Sequence, residues 1–243
     1  MGNPLGKKVG VPQNYDPSVL YPINRSEQRE GLESTYFTGY DAWNIHELLW
    51  LDESNRLNQD EICIKIDAQS KAIPESKSMK LYIGSLVYRR FACQKDVLAI
   101  IKQELDKLTE SDVVLEDSIY PTLECATLPV IRSTTPLKES KETNELISDH
   151  LFTGFRSLCP VTDQPDIAKI YIKGSLSDID KSNIQNYLGT YFDVNTFHEA
   201  CIEQIFTNLI NSDYGIESIA GHFERRGGIS IIPVRFHSKF YQI

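Results

Sequence analysis

The same order of strand and helix patterns occurs twice along this chain of 243 residues. In the first half, an alternating strand pattern precedes the motif LYIGS (81–85) and a long amphipathic helix pattern. In the second half, an alternating strand pattern precedes the related motif NYLGT (186–190) and another such helix. The simplest account is two copies of a strand–helix–helix–strand unit. The repeat therefore predicts an α+β fold built from two modules.

The spacing of apolar residues locates the elements of each module, with a period of two for strands and a helical period for helices. In chain order, we predict strand 61–68, helix 94–108, strand 112–117, strand 168–174, helix 198–210 and two closing strands around the glycine pair at 227–228. Composition divides the chain into an irregular arm (1–35), a first module (36–126), a linker rich in Pro, Thr and charge (127–147) and a second module (148–243).

The composition is that of a globular protein, with 41% hydrophobic and 24% charged residues. A net charge of −9 argues against wrapping a nucleic-acid backbone, so no direct nucleic-acid partner is expected. No apolar run approaches the roughly 20 residues that span a bilayer, and the first residues lack a secretory apolar stretch. We therefore expect a cytoplasmic protein that does not enter a membrane.

The five cysteines are odd in number and contain no CxxC pair, and no histidine lies at ligand spacing from any of them. They are Cys63, Cys93, Cys125, Cys159 and Cys201. A structural zinc site is not expected, and free thiols are the default in a reducing compartment. Cys63 alternates within a strand and Cys201 lies on an apolar helical stripe, so both are predicted to be core residues.

Cys159 lies in a different setting, the turn-rich stretch SLCPVTDQPD (157–166). A free cysteine is most often a small buried hydrophobe, but a polar, proline-punctuated loop does not favour that fate. A nucleophilic thiol needs a partner that exchanges protons, and Asp163 and Asp166 are both within reach along the loop. We prefer Asp166, because Pro165 restricts its approach.

The stretch Phe197-His198-Glu199 lies at the predicted start of the second module's long helix. An acid in the first turn suits the helix dipole, which would account for Glu199 alone. A carboxylate also accepts two hydrogen bonds from a guanine-type edge, and a neighbouring histidine can orient or move a proton. Both interpretations stay open at this point.

Two further stretches carry positive charge. In ESKSMK (75–80), Lys77 and Lys80 are three residues apart and project to one side of a helical turn, where they form either a solvated surface or a phosphate site. In RRGG (225–228), the glycines predict a hairpin turn that lets a ligand approach the backbone closely. The two arginines beside that turn make an anion site worth considering.

Four stretches, ESKSMKLY, CPVTDQPD, FHE and RRGGISI, together resemble one family in its order of motifs. They resemble the NADPH-dependent, QueF-type nitrile reductases of tRNA queuosine biosynthesis, in the two-module form. That family converts 7-cyano-7-deazaguanine to 7-aminomethyl-7-deazaguanine. Its tunnelling fold is an antiparallel sheet that carries a pair of helices. The resemblance thus implies tandem tunnelling-fold modules, in agreement with the repeat.

The resemblance also implies a role for each motif residue. The catalytic residues would be the nucleophile Cys159, the general acid Asp166 and the proton-moving His198. Substrate would be bound by Glu199, His198, Glu75 and Ser76. The cofactor NADPH would be bound by Lys77, Lys80, Ser76, Arg226 and Gly227.

The implied reaction begins with addition of the Cys159 thiolate to the nitrile carbon, while Asp166 protonates the nitrile nitrogen. The resulting thioimidate is reduced in two hydride transfers from NADPH, with an imine between them that a closed site protects from hydrolysis. The substrate is a small molecule, and a homodimer is expected because tunnelling-fold sheets close into barrels by association.

The chain departs from the family pattern in three places. After the glycines it reads ISIIPV rather than an acidic-Asn-Pro-aromatic run, Ile167 replaces an aromatic residue, and the linker is short. These departures would affect the affinity for the dinucleotide and the contacts between subunits more than the covalent step. Two alternatives to the reductase are a non-catalytic tunnelling-fold protein that binds a purine or pterin, and a cysteine-dependent nitrile hydrolase. The first has no use for Cys159 and Asp166, and the second has no use for the lysines and Arg226.

Overall fold

A computed structural model describes residues 10–32, 37–121, 126–129, 149–212 and 214–239. The chain divides into two compact units. Unit 1 comprises residues 1–30, 41–120 and 225–230, and unit 2 comprises residues 31–40, 121–224 and 231–243. Most of the predicted linker, and Cys125, lie outside the described residues. The predicted module boundaries therefore remain predictions.

Unit 1 contains the first three helices and most of the first six strands. Its strands are β1 (Pro22–Asn24), the Asp41–Asp52 part of β2 (Phe37–Asp52), β3 (Leu57–Asp67), β4 (Ala72–Pro74), β5 (Arg90–Phe91) and β6 (Val114–Glu116). Its helices are α1 (Arg25–Gln28), α2 (Ser76–Ser85) and α3 (Gln94–Thr109). Strands β2, β3 and β6 are neighbours in one sheet, β3 and β6 pair antiparallel, and β1 pairs antiparallel with β4.

The core of unit 1 follows the predicted periodicities. Ile62, Ile64 and Ile66 of β3 are buried, and so are Val97 and Ile101 of α3. The strand predicted at 61–68 is confirmed as Leu57–Asp67, and the helix predicted at 94–108 is confirmed as Gln94–Thr109. Burial of these side chains contributes about 1.5–3 kcal/mol each relative to exposure.

The stretch predicted as an irregular arm contains short regular elements. A 3-10 turn (Pro17–Val19), β1 and α1 lie within its described residues. Buried Arg25 forms an ion pair with Asp41 and donates from Nε to the Ser70 hydroxyl at 3.0 Å. A buried guanidinium needs such partners, so Arg25 anchors this arm to the unit together with the pairing of β1 and β4.

Unit 2 is a mainly antiparallel sheet with two long helices. Its strands are β7 (Ala126–Pro129), β8 (His150–Leu158), β9 (Pro165–Gly174), β10 (Ile216–Phe223) and the Ile231–His237 part of β11 (Ile229–His237). Its helices are α4 (Asp178–Gly189) and α5 (His198–Asn211). Strands β8, β9, β10 and β11 pair antiparallel in that order, whereas β7 pairs parallel with β8.

The second predicted helix is confirmed at His198–Asn211, with Ile202, Ile205 and Phe206 fully buried. The strand predicted over 168–174 begins earlier, at Pro165, which places Asp166 inside β9. The apolar departure ISIIPV forms part of β11, and its side chains Ile229, Ile231, Ile232 and Val234 are all buried. These residues serve the core, because a central strand needs apolar side chains on its covered faces.

A buried ion pair joins α5 to β11 in unit 2. Arg235 donates from Nε and Nη2 to Glu203 Oε1 at 3.1 and 2.8 Å, and from Nη1 to the Tyr40 carbonyl at 2.9 Å. The side chains of Arg235 and Glu203 are 0% and 2% exposed. Removing one partner of such a pair is strongly destabilising, since it leaves a buried charge uncompensated.

The predicted glycine turn is present in unit 1. Gly227 and Gly228 have φ values of 57° and 82°, and the flanking Arg226 and Ile229 exchange backbone hydrogen bonds at 2.9 and 3.3 Å. Positive φ at both central residues is the geometry of a type I′ hairpin turn, which glycine adopts without strain.

The mixed architecture confirms the predicted α+β class. Within the described ranges, no helix is long and apolar enough to cross a membrane. Over the same part of the chain, no group of three or more His, Cys, Asp or Glu side chains could hold a metal ion.

Candidate active site

The Cys159 loop is the hairpin connection between β8 and β9 in unit 2. The Cys159 amide donates to the Gln164 carbonyl at 2.9 Å, and the Asp163 amide donates to the Cys159 carbonyl at 3.0 Å. Asp163 adopts a φ of 55°, a left-handed conformation that Asp tolerates better than most residues. These bonds hold the half-buried Cys159 in a tight turn at the end of the sheet.

The segment that precedes α5 is tied to this loop. The Leu158 amide donates to the Val194 carbonyl at 2.8 Å, and the Thr196 amide donates to the Leu158 carbonyl at 3.0 Å. The Asn195 side chain donates to Asp163 Oδ1 at 2.6 Å and to the Cys159 carbonyl at 3.3 Å. The cysteine loop and the start of α5 therefore have a fixed relative position.

Asp166 and His198 meet beside the loop. Asp166 is the second residue of β9 and 5% exposed, and His198 is the first residue of α5. Asp166 Oδ2 and His198 Nε2 are 3.3 Å apart. The imidazole also stacks on Phe223 of β10, with ring centroids 4.0 Å apart and an interplanar angle of 16°. Of the two loop acids, the structure thus brings Asp166 to the histidine.

Glu199 is the second residue of α5 and only 3% exposed. The N-terminus of a helix stabilises a carboxylate through its dipole and its unpaired amide groups. No side chain caps α5, whose N-cap residue is Phe197. Burial restricts this carboxylate to a small number of partners, which suits a group that selects one ligand.

The remaining described cysteines differ from Cys159 in burial. Cys63 and Cys201 are fully buried, as predicted for core residues. Burial raises the pKa of Cys63 to about 12. Burial, followed by the nearby Asp166 charge, also raises the pKa of Cys201 far above its ordinary value. Neither thiol is available as a thiolate near neutral pH, and Cys93, although exposed, lies in unit 1.

The ESKS stretch forms the start of α2 in unit 1. Glu75 is the N-cap, and its carboxylate accepts hydrogen bonds from the amides of Lys77 at 3.0 Å and Ser78 at 2.7 Å. Its side chain is buried at 4% exposure, whereas Ser76, Lys77 and Lys80 are half-buried. The helix begins at this stretch because a capping acid satisfies its first amides.

A cavity of about 240 Å³ lies in unit 1 between β2, α2 and the glycine turn. Its polar lining residues are Lys80 and Glu47, and the backbone of Gly227 and Gly228 forms one side. A Cβ at Gly227 would lie 3.2 Å from Lys80 Cδ, so a side chain there would crowd the lysine. The apolar lining consists of Ile45, Leu49, Ile83, Val87 and Ile229, together with Gly84.

The predicted site residues thus fall into two groups. Glu75, Ser76, Lys77, Lys80, Arg226 and Gly227 belong to unit 1, and Cys159, Asp166, His198 and Glu199 belong to unit 2. Within unit 2 the structure gathers Asp166 and His198 and ties the Cys159 loop to the start of α5. Within unit 1 it brings Lys80 to the glycine turn.

Comparison with known proteins assigns both parts of the chain to one kind of enzyme. The family model described as "Nitrile reductase, 7-cyano-7-deazaguanine-reductase N-term" matches residues 11–116, and the one described as "QueF-like protein" matches residues 165–241. A protein of Desulfotalea psychrophila named NADPH-dependent 7-cyano-7-deazaguanine reductase is 33% identical over 256 residues, covering 96% of this chain and 92% of the relative. Proteins of the same name from Saccharophagus degradans and Xanthomonas campestris pv. campestris are each 32% identical, covering 95% of this chain and 92% and 91% of the relatives. The chain belongs to this reductase family.

Membership of the 7-cyano-7-deazaguanine reductase family confirms the resemblance predicted from four short motifs. Three residues in contact with the motifs were not predicted: Asn195, Phe223 and Glu47. Asn195 carried a weak signal, since asparagine in a turn often bonds to nearby backbone. Phe223 and Glu47 lie in strands far along the chain from their partners, so no local pattern identifies them.

Proposed function

We propose that this chain converts 7-cyano-7-deazaguanine to 7-aminomethyl-7-deazaguanine through a covalent Cys159 thioimidate. The predicted enzyme class, an oxidoreductase that acts on a nitrile with NADPH, is confirmed by the family and by the relatives' names. The observation that carries the covalent step is the Cys159 loop, tied to a helix start at which Asp166 and His198 lie within 3.3 Å of each other.

The proposed reaction starts at the Cys159 sulfur. Its thiolate adds to the nitrile carbon, one C–N π bond breaks, and the nitrogen takes a proton from the Asp166–His198 pair. This gives a neutral thioimidate on Cys159. A nitrile is a poor hydride acceptor until it is polarised, so the covalent bond prepares it for reduction.

NADPH, when bound, supplies one hydride to the thioimidate carbon and a second to the imine. Between these reductions, the nitrogen gains a proton and the carbon–sulfur bond breaks, which returns the thiolate to Cys159. His198, stacked on Phe223 and facing Asp166, is placed to move protons in these later steps. Buried Glu199 would accept hydrogen bonds from the guanine-like edge of the substrate and reject analogues that lack those donors.

The unit 1 residues fit a dinucleotide. A cavity of about 240 Å³ with apolar walls offers room for a ring, Lys80 supplies a cation, and the glycine turn lets a ligand approach the backbone. A side chain at Gly227 or Gly228 would fill this space. We propose that Lys80, Arg226 and Gly227 hold NADPH, with Lys77 and Ser76 at the nearby start of α2.

The first test compares the native chain, Cys159→Ala and the control Cys93→Ala, which removes an exposed thiol in unit 1. We expect two NADPH molecules to be oxidised per nitrile by the native protein and by Cys93→Ala. Turnover by Cys159→Ala should fall by at least about a thousandfold, as for removal of other nucleophiles.

A second readout separates the alternatives. Without NADPH, intact-mass spectrometry of the native protein should show an increase equal to one substrate molecule, and Cys159→Ala should show none. Nitrile binding with no mass increase and no NADPH oxidation would indicate a binding protein. Release of a carboxylic acid without NADPH would indicate a hydrolase.

We also propose a homodimer. The support is the tunnelling fold of the resemblance, in which sheets close into barrels by association. Sedimentation equilibrium of the native chain should give twice the monomer mass of 27.7 kDa, and a monomer would contradict the proposal.

A further inference from the structure

A carboxylate lies in the cavity assigned to NADPH. Glu47 of β2 lines it together with Lys80, Gly227 and Gly228, and forms an ion pair with Arg225. The side chains are 37% exposed for Glu47 and 47% exposed for Arg225, so both are open to a ligand from solvent. An acid is an unexpected lining for a site that binds a polyanion, because like charges repel.

The position of this carboxylate is set by the turn. A Cβ at Gly228 would lie 2.8 Å from Glu47 Oε2, so the carboxylate lies directly against the turn backbone. The amide of the neighbouring His46 donates to the Gly228 carbonyl at 2.9 Å, which joins β2 to the turn. His46 Nε2 and Ser230 Oγ are also 2.9 Å apart. Contacts of His46 and Glu47 with Gly228 and Ser230 thus hold the Glu47 carboxylate beside Arg225.

Carboxylate and phosphate compete for the same guanidinium geometry, since both accept paired N–H donors. In nucleotide sites, an acidic side chain commonly accepts a hydrogen bond from the ribose 2′-hydroxyl of NAD, whereas an arginine binds the 2′-phosphate of NADP. The Glu47–Arg225 pair contains both groups in contact. NADPH carries a 2′-phosphate that can replace the Glu47 carboxylate on Arg225. NADH carries only a 2′-hydroxyl, which can donate a hydrogen bond to Glu47.

We propose that the Glu47–Arg225 pair determines the selectivity between NADPH and NADH. Glu47 pairs with Arg225 before the cofactor binds, and the 2′-phosphate of NADPH then replaces Glu47 on Arg225. The inference rests on the proposed function, because it assumes that this cavity is the NADPH site. It adds two residues, Glu47 and Arg225, that the sequence motifs did not assign.

The test measures binding to the protein without nitrile substrate, by isothermal titration calorimetry. The probes are NADPH, NADH and adenosine 2′,5′-bisphosphate, and the variants are Glu47→Gln, Arg225→Gln and the double variant. Glu53→Gln is the control, since it removes the same charge just beyond the end of β2 and outside the cavity lining.

Glu47→Gln should tighten binding of NADPH and of the bisphosphate about two- to fivefold, the range for a partly exposed ion pair. The same variant should bind NADH with unchanged or weaker affinity. Arg225→Gln should weaken both phosphorylated probes by about tenfold or more and leave NADH within about twofold. The double variant should bind the phosphorylated probes with the same affinity as Arg225→Gln. The reason is that Glu47 affects their binding only through the Arg225 guanidinium.

Two outcomes overturn the inference. One is unchanged or weaker NADPH binding by Glu47→Gln, and the other is equal weakening of NADPH and NADH by Arg225→Gln. Failure of the proposed function is a separate result: the native protein would oxidise no NADPH when the nitrile is added, whatever the variants bind.

Discussion

Two helices, one in each unit, begin with a buried carboxylate, and the two carboxylates are used differently. In unit 1, Glu75 is the N-cap of α2, and its carboxylate accepts two backbone amides. In unit 2, α5 begins without a side-chain cap, at His198 and Glu199, and His198 contacts a third acid, Asp166. The first arrangement completes a helix, and the second places a histidine where it can exchange a proton.

The difference shows that the two units can use a buried carboxylate for different purposes. Two amide donors hold a carboxylate in one orientation, which favours stability. A carboxylate that faces an imidazole at 3.3 Å places two proton-exchanging groups together, which suits acid–base chemistry. Unit 1 otherwise contributes a cavity with a lysine and a glycine turn, which suits a phosphate ligand. We therefore expect substitution of Asp166 in unit 2 to lower turnover and substitution of Glu75 in unit 1 to lower stability.

The largest expected effect is in unit 2. Asp166→Asn should lower turnover about a hundred- to ten-thousandfold, the range for loss of a general acid, and leave the fold intact because the side chain keeps its shape. Steady-state NADPH oxidation measures the loss, and circular dichroism checks the fold. The matched control is Asp163→Asn, the exposed acid of the same loop, which should retain turnover within about threefold. The reverse ranking of these two variants would assign the acid to Asp163.

Two half-buried histidines, one in each unit, extend the comparison to pH. Burial, and then the Lys169 charge, lower the pKa of His222 in unit 2 to about 4, below its ordinary 6.5. The neutral ring is favoured in the folded state, so its stabilising effect is present above pH 6.5 and is lost as pH falls toward 4. Between pH 7 and pH 4.5, the native chain should lose about 2–3 kcal/mol of unfolding free energy that His222→Gln does not lose.

Urea unfolding of both proteins at the two pH values measures this difference. His46→Gln in unit 1 is the comparison, since burial and Arg225 also lower the pKa of His46, but its ring is less deeply buried. The pH-dependent loss of unfolding free energy that His46→Gln avoids should have the same sign as that avoided by His222→Gln and should be smaller. A larger effect at His46 would reverse the ranking of the two units.

The smallest effect concerns the helix cap in unit 1. Glu75→Gln should cost about 1–2 kcal/mol of unfolding free energy, because it removes a charged acceptor from two amides. Glu110→Gln is the control, since Glu110 pairs with Lys71 on the surface and should cost under about 0.5 kcal/mol. A higher KM for the nitrile in Glu75→Gln would show that the cap also binds substrate. Unchanged stability would contradict the capping role.

The long strands β2 and β8 were not predicted from the sequence. β2 is buried on both faces from Asp41 to Ile45, including the polar Asp41 and Asn44, so its residues do not alternate. Its strand character depends on neighbouring strands and on the Arg25 partner of Asp41, neither of which a local pattern shows. β8 likewise interrupts its alternation at Gly154, where the pairing with β9 shifts register.

The sequence by itself determined the features that depend on neighbouring residues. The spacing of apolar side chains defined α3 and α5, the glycine pair defined the turn at 227–228, and four motifs identified the reductase family. Only the tertiary structure decided that Asp166 rather than Asp163 meets His198, and that Glu47 meets Arg225. The two members of each pair come from separate parts of the chain, and their contact depends on how the chain packs. A periodic pattern reports which face of an element is buried, but not which distant side chain shares that space.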